Sequence, residues 1–180
     1  DAYSYITVLD SKGNKLWQKK TGGWYTDIRI DLEDIDGNGT FEIIGATASH
    51  RVNDKTRGKI FIFDALTGEQ KKSFFISGAS FSRPYACKGK NDTVHIFVGD
   101  SSGRLWRFDK NLKYKLKTVK QGSPIAVLNN ATGGIGVNWP LKKSGWPSLV
   151  VITLSELIAY DWEMETKIFQ YTFESPVSII

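Results

Sequence analysis

A strand ending in aspartate recurs four times along these 180 residues, at spacings of 45 to 54, and short apolar strands fill the intervals. Helix-period patterning is nearly absent, and the strands are bounded by Gly, Asn, Asp and Ser turns. These observations predict an all-β fold: a β-propeller segment of about three to four four-stranded antiparallel blades. Four short strands per repeat of this period is the mark of a propeller blade.

The recurring strands are Tyr5-Ile-Thr-Val-Leu-Asp10, Lys59-Ile-Phe-Ile-Phe-Asp64, Arg104-Leu-Trp-Arg-Phe-Asp109 and Leu157-Ile-Ala-Tyr-Asp161. A polar turn follows the first three, and the fourth keeps the length but loses the glycine. Each aspartate is expected to accept bonds from turn amides, a structural role rather than a catalytic one. After each turn comes a second strand, at residues 15–20, 70–76, 114–119 and 167–173. An apolar strand precedes three of the units, at 41–46, 94–99 and 149–154, and another lies earlier, at 27–32, 82–86 and 124–128. In this phase residues 1–21 supply the last two strands of one blade. Whole blades follow at about 24–78, 79–122 and 123–174, and residues 175–180 restart the pattern. We expect an excised arc of a larger propeller rather than a four-bladed ring closed by its own ends, because the closing blade would lack an obvious second strand and an open arc leaves edges to pair.

Hydrophobic residues make up 41 per cent of the chain, a globular value. No apolar run approaches the roughly 20 residues of a membrane-spanning helix. No leader pattern is present, and the missing initiator Met suggests a mature or excised segment, which leaves secretion open. The single cysteine, Cys87, excludes an internal disulfide and reads as a small buried hydrophobe. Net charge is +5 with a sequence pI near 9.2, modest support for an anionic partner. Lys113, Lys115 and Lys117 alternate along one outer strand and read as an edge kept from aggregating by charge. No aromatic stacking platform accompanies them, so no nucleic acid is expected. The two histidines, His50 and His95, lie in different repeats, outside any ligand-spaced motif. No nucleophile elbow or phosphate loop appears. Residues 49–58 read as a linker that lengthens one inter-strand loop, and 129–147 as a long insertion. Trp24, Tyr25, Trp139 and Trp146 are possible ligand contacts, for instance to a sugar.

The most specific chemistry lies in Asp34-Ile-Asp36-Gly-Asn38-Gly-Thr40-Phe-Glu42. Oxygen ligands at alternate positions of a tight loop suit a hard cation such as Ca²⁺. The expected ligands are the side chains of Asp34, Asp36, Asn38 and Glu42 with the carbonyl of Thr40, and Gly37 and Gly39 let the loop curl. The loop is not an EF-hand, because position 12 is Gly45 and strands flank it. One Ca²⁺ is expected there, bracing the loop; the rival is an acidic turn without metal.

Asp-x-Asp-Gly-Asn-Gly-x-x-Glu-Ile-Ile-Gly, followed by Gly58-Lys-Ile-Phe-Ile-Phe-Asp64, resembles the FG-GAP or VCBS type of propeller repeat over about one blade. The Asp10–Trp17 unit is similar to quinoprotein-type repeats. The resemblance implies a calcium loop between the first two strands of a blade and an extracytoplasmic setting: extracellular, cell-surface or periplasmic. The expected function is a non-enzymatic, calcium-braced recognition or adhesion scaffold for a protein or glycan ligand, joined to the remaining blades of a larger propeller. A calcium-dependent polysaccharide lyase, or another carbohydrate-active enzyme, and a metal-free protein-assembly scaffold are the alternatives.

Overall fold

The structure is a computed structural model, and it describes residues 3–24, 29–52, 55–80, 83–88, 93–121, 124–128, 149–161 and 163–177. An opening hairpin pairs β1 (Tyr3–Leu9) with β2 (Lys15–Trp24). Three antiparallel four-stranded meanders follow. The first blade is β3 (Arg29–Glu33), β4 (Glu42–Val52), β5 (Lys55–Asp64) and β6 (Gln70–Phe75). The second is β7 (Tyr85–Lys88), β8 (Val94–Gly99), β9 (Arg104–Phe108) and β10 (Tyr114–Thr118). The third is β11 (Ile125–Leu128), β12 (Leu149–Thr153), β13 (Glu156–Tyr160) and β14 (Lys167–Thr172). In every blade the strands lie side by side in sequence order, and no helix occurs among the described residues.

Residues 49–58 are not a lengthened loop. β4 and β5 run on as a paired hairpin that reaches Val52 opposite Lys55, with one irregularity between Thr47 and His50. Backbone pairing carries this extension, so its sequence lacks the apolar alternation that marks a buried strand.

The core lies between sheets. Successive side chains of a strand point to opposite faces, and the middle strands are buried on both. Ile60 and Ile62 pack towards Ile96, Val98, Trp106 and Phe108 of the second blade. Phe61 and Phe63 pack the other way, on Ile6 and Trp17 of the hairpin. Phe97 and Leu105 meet Leu149, Val151, Ile158 and Tyr160 of the third blade. Each such side chain contributes about 1.5–3 kcal/mol by leaving water. Gly45 is required by this packing, since a Cβ there would lie 2.1 Å from the Phe61 ring.

The four repeat aspartates accept turn amides as expected. Asp10 takes Lys12 and Asn14 at 2.9 and 2.8 Å, and Asp64 takes Leu66 and Thr67 at 3.0 and 2.8 Å. Asp109 takes Asn111 and Lys113 at 2.7 and 2.9 Å, and Asp161 takes Glu165 and Thr166 at 2.8 and 3.1 Å. Each turn holds one residue in the left-handed region: Gly13, Gly68, Leu112 and Met164, with φ of 85, 71, 58 and 60°. Left-handed backbone costs a non-glycine residue about 1–2 kcal/mol. Leu112 and Met164 offset that cost by burying their side chains between blades.

Candidate cation site in the first blade

β3 and β4 pair in register from Arg29 opposite Ala46 to Glu33 opposite Glu42, so residues 34–41 form the connection between them. Gly37 and Gly39 adopt φ of 76 and 86°, which only glycine takes without strain. Asp34 organises the loop from inside: its carboxylate accepts the amides of Gly37 at 2.8 Å, Asn38 at 3.1 Å and Gly39 at 3.1 Å. The Asn38 side-chain oxygen accepts the Thr40 amide at 2.7 Å. Glu42 is fully buried, and its Oε2 accepts the Ile35 amide at 2.9 Å.

The structure brings Asp34, Asp36 and Glu42 together, each with a carboxylate oxygen within 4.8 Å of the others. That spread matches oxygens placed about 2.3–2.6 Å from one Ca²⁺. It also adds a group that the sequence reading missed. The Lys71 ammonium, from β6, lies 2.6 Å from Glu42 Oε1, 3.1 Å from Asp36 Oδ2 and 3.7 Å from Asp64 Oδ2. It stands where a cation belongs. Its pKa is raised, chiefly by the hydrogen bond to Glu42, with burial opposing. The Asp64 carboxyl is held below its ordinary range, first by the Thr67 amide and hydroxyl and more weakly by Lys71. Three carboxylates, those of Asp36, Glu42 and Asp64, lie within 3.7 Å of the one ammonium, and Asp34 stands beside the first two. The hard-oxygen donor set fits calcium. An ion using Asp36 and Glu42 would share or displace the ammonium. Lys71 lies 29 residues from Glu42 in sequence, so only the recurrence of lysine on the outer strands hinted at it.

Two further acids join structure rather than chemistry, and neither stood out in the sequence. Asp31 is buried on β3 and crosses to the second blade, accepting Arg83 at 3.0 Å and the Ala86 amide at 2.9 Å. Asp100 is buried in the β8–β9 turn and accepts the Ser102 amide at 2.9 Å and the Trp106 indole at 2.8 Å. Burial first, then nearby Glu33, pushes the Cys87 thiol up to about 12, an unreactive thiol as expected. His95 is half-buried and its pKa is lowered, by burial and then Arg107. Trp24 closes β2 opposite Tyr3. Tyr25, Trp139, Trp146 and the insertion at 129–147 lie outside the described residues.

The outer-strand lysines do more than guard an edge. Lys115 reaches Glu163 at 3.3 Å and Glu165 at 3.4 Å on the next blade. Lys117 donates to the Met164 carbonyl at 2.6 Å and lies 4.6 Å from the Tyr160 ring centre. Lys72 donates to Asn111 of the second blade at 2.5 Å.

No protein-family model matches the sequence, and no curated protein matches it. Among solved structures the chain is similar to BBS1N in complex with ARL6DN, soaked with mercury. The TM-score is 0.63 at 12 per cent identity, over 98 per cent of this chain and 49 per cent of that one. The lead-soaked complex aligns at 0.61 and 13 per cent, over 97 and 50 per cent. The chain is an all-β propeller segment of four-stranded antiparallel blades. It spans about half the length of the solved chains it matches. At this identity the likeness concerns the fold alone. No helix of the described residues is long and apolar enough to cross a membrane.

Proposed function

We propose that this propeller segment is a non-enzymatic recognition scaffold of a secreted or cell-surface protein, with a protein as its favoured ligand. One observation carries the reading: among the described residues, several charged side chains outside the acidic loop are engaged in joining one sheet to the next. Arg83 holds Asp31, Lys72 holds Asn111, and Arg107 holds Glu163 at 2.7 Å. The neighbour BBS1N was solved holding a protein partner, ARL6DN, which supports a protein ligand over a glycan. The test pairs turnover with binding. Acidic polysaccharides are incubated with the chain while absorbance of unsaturated product is followed, and the chain is screened against protein and glycan arrays. Saturable binding without product is the expected result; product would move the chain to the lyases.

The acidic loop supports a finer reading as a calcium brace of the FG-GAP or VCBS type. Three carboxylates within 4.8 Å of one another favour a divalent cation. On this reading Ca²⁺ raises the melting temperature and gives a calorimetric isotherm that Asp36→Ala abolishes. Lys71→Met tightens Ca²⁺ binding, because no ammonium then competes for Asp36 and Glu42. Equal melting temperatures with and without Ca²⁺ would leave a metal-free scaffold in which Lys71 is the sole cation. A calcium-dependent loop of this type fits an extracytoplasmic setting, where Ca²⁺ is plentiful.

A further inference from the structure

Between the first and second blades a cleft of about 190 Å³ opens beside the acidic loop. Buried Ile35 and Ile62 form its apolar side. Asp36 lines it from the loop, Lys71 and Lys72 from β6, and Lys110 with Asn111 from the turn after β9. These pieces are held from behind. Ile62 pairs with Lys72 in the β5–β6 register, so the two share a face of the sheet. The Ile35 amide is bound by Glu42 at 2.9 Å and the Asn111 amide by Asp109 at 2.7 Å. The charges of the lining are unequally used. Its acid is spent on both oxygens: Asp36 Oδ1 accepts the Asn38 amide at 3.2 Å, and Oδ2 accepts Lys71 at 3.1 Å. Lys71 is spent with it, on Asp36, Glu42 and Asp64. Lys72 has three N–H donors and gives one, to the neutral Asn111 side-chain oxygen. Lys110 is exposed and has no carboxylate partner among the described residues.

Two ammonium groups and the Asn111 amide thus border one cleft with no carboxylate of their own, beside apolar side chains. We infer that this cleft receives an acidic side chain, aspartate or glutamate, from a peptide segment of a protein partner. The carboxylate accepts from Lys72, Lys110 and Asn111, and an apolar neighbour in the peptide rests on Ile35 and Ile62. The inference rests on the recognition-scaffold reading with a protein ligand. Size and charge select this occupant. Pockets that enclose a whole small molecule run to roughly 300–1,000 Å³, so the cleft suits one or two side chains of a larger ligand. One carboxylate matches the two ammonium groups as a charge-assisted acceptor. A polyanion such as a nucleic acid or an acidic glycan runs on past Asp36 and Asp34 of the neighbouring loop, which repel it.

The test follows the fluorescence anisotropy of a short, end-capped, dye-labelled peptide of alternating glutamate and leucine as the chain is titrated in. Chelator is present, so that calcium plays no part, and ionic strength is held at about 0.15 M, where distant charges are screened. Saturable binding is expected, and the same peptide with glutamine in place of glutamate does not bind. Lys110→Gln weakens binding about threefold or more, and Lys72→Gln combined with it about tenfold or more, with far-ultraviolet circular dichroism unchanged. Lys72→Arg keeps the charge and the contact with Asn111, and binds as the parent chain does. Lys113→Gln removes the same charge from the same turn but outside the cleft, and leaves binding unchanged. No binding by the parent chain overturns the inference. Equal weakening by Lys110→Gln and Lys113→Gln overturns it as well, since that marks diffuse attraction to a basic chain. Inorganic phosphate displacing the peptide more readily than glutarate overturns the carboxylate assignment in favour of a phosphorylated ligand. A protein captured on the arrays whose binding ignores the double variant leaves the scaffold reading standing and overturns this site alone.

Discussion

Where the opening hairpin meets the first blade, Trp17 lies on Gly68, tilted against Phe63 at 6.2 Å, with one indole hydrogen bond. Where the second blade meets the third, Arg107, Lys115 and Lys117 reach Glu163, Glu165 and the Met164 carbonyl. The backbone of the gripped turn is alike in both, with an aspartate accepting amides and one residue at positive φ. The chemistry is opposite. The turn's shape is thus set locally by its aspartate, while the partner strand adapts, with apolar bulk where the turn has none and cations where the turn brings its own.

The contrast is tested first at Trp17. Trp17→Ala removes a buried ring and should cost about 3–5 kcal/mol in denaturant unfolding; a loss below about 1 kcal/mol would show that the ring does not hold its junction. Next is Met164→Gly, which relieves about 1–2 kcal/mol of backbone strain but deletes a buried side chain worth about 2–5 kcal/mol. Net destabilisation of about 1–3 kcal/mol is expected, and a more stable variant would mean that strain, not packing, governs this turn. Gly68→Ala should cost about 1–3 kcal/mol through collision with Trp17, and markedly less in the Trp17→Ala background, a coupling that a double-mutant cycle reads directly. The smallest effect is that of pH. The Arg107 hydrogen bond holds the Glu163 carboxyl below its ordinary 4.5 against the opposing effect of burial, with lesser help from Lys115. Its contribution is therefore present above that value and lost as pH falls through the lower folded pKa. Glu163 is more than half exposed, so the effect stays below about 1 kcal/mol. Hydrogen exchange near pH 3, compared with about pH 6, should loosen the third blade more than the hairpin. Equal loosening would erase the distinction.

What was legible in the sequence is what is local. The strand-ending aspartates and the turns after them span a few residues, so Asp10, Asp64, Asp109 and Asp161 announced both their place and their bonds. The loop around Asp34 was legible for the same reason. Partners across a junction were not. Asp31 and Ala86 are separated by 55 residues, and Lys71 and Asp36 by 35, with nothing in the intervening chain to register that they meet. The Asp109 and Asp161 turns lack the glycine of the other two because burial lets Leu112 and Met164 stand in its place. The lysines of β10 looked like a solvated edge because alternation shows which residues share a face, not what that face touches.

At each described junction the outer strand of one sheet grips the aspartate turn of the next, through Trp17, Lys72 and Lys115, and this arrangement runs one way along the chain. In each engaged pair the gripping strand precedes, in sequence, the turn it grips. A polypeptide emerging from the ribosome therefore presents a finished outer strand before the next turn is made, and each new sheet closes on a surface already in place. Contacts between neighbours alone also make stability add sheet by sheet. Truncation from the C-terminal side should peel off whole sheets and leave the earlier ones standing, whereas loss of the opening hairpin strips the first blade of the ring that covers Gly68.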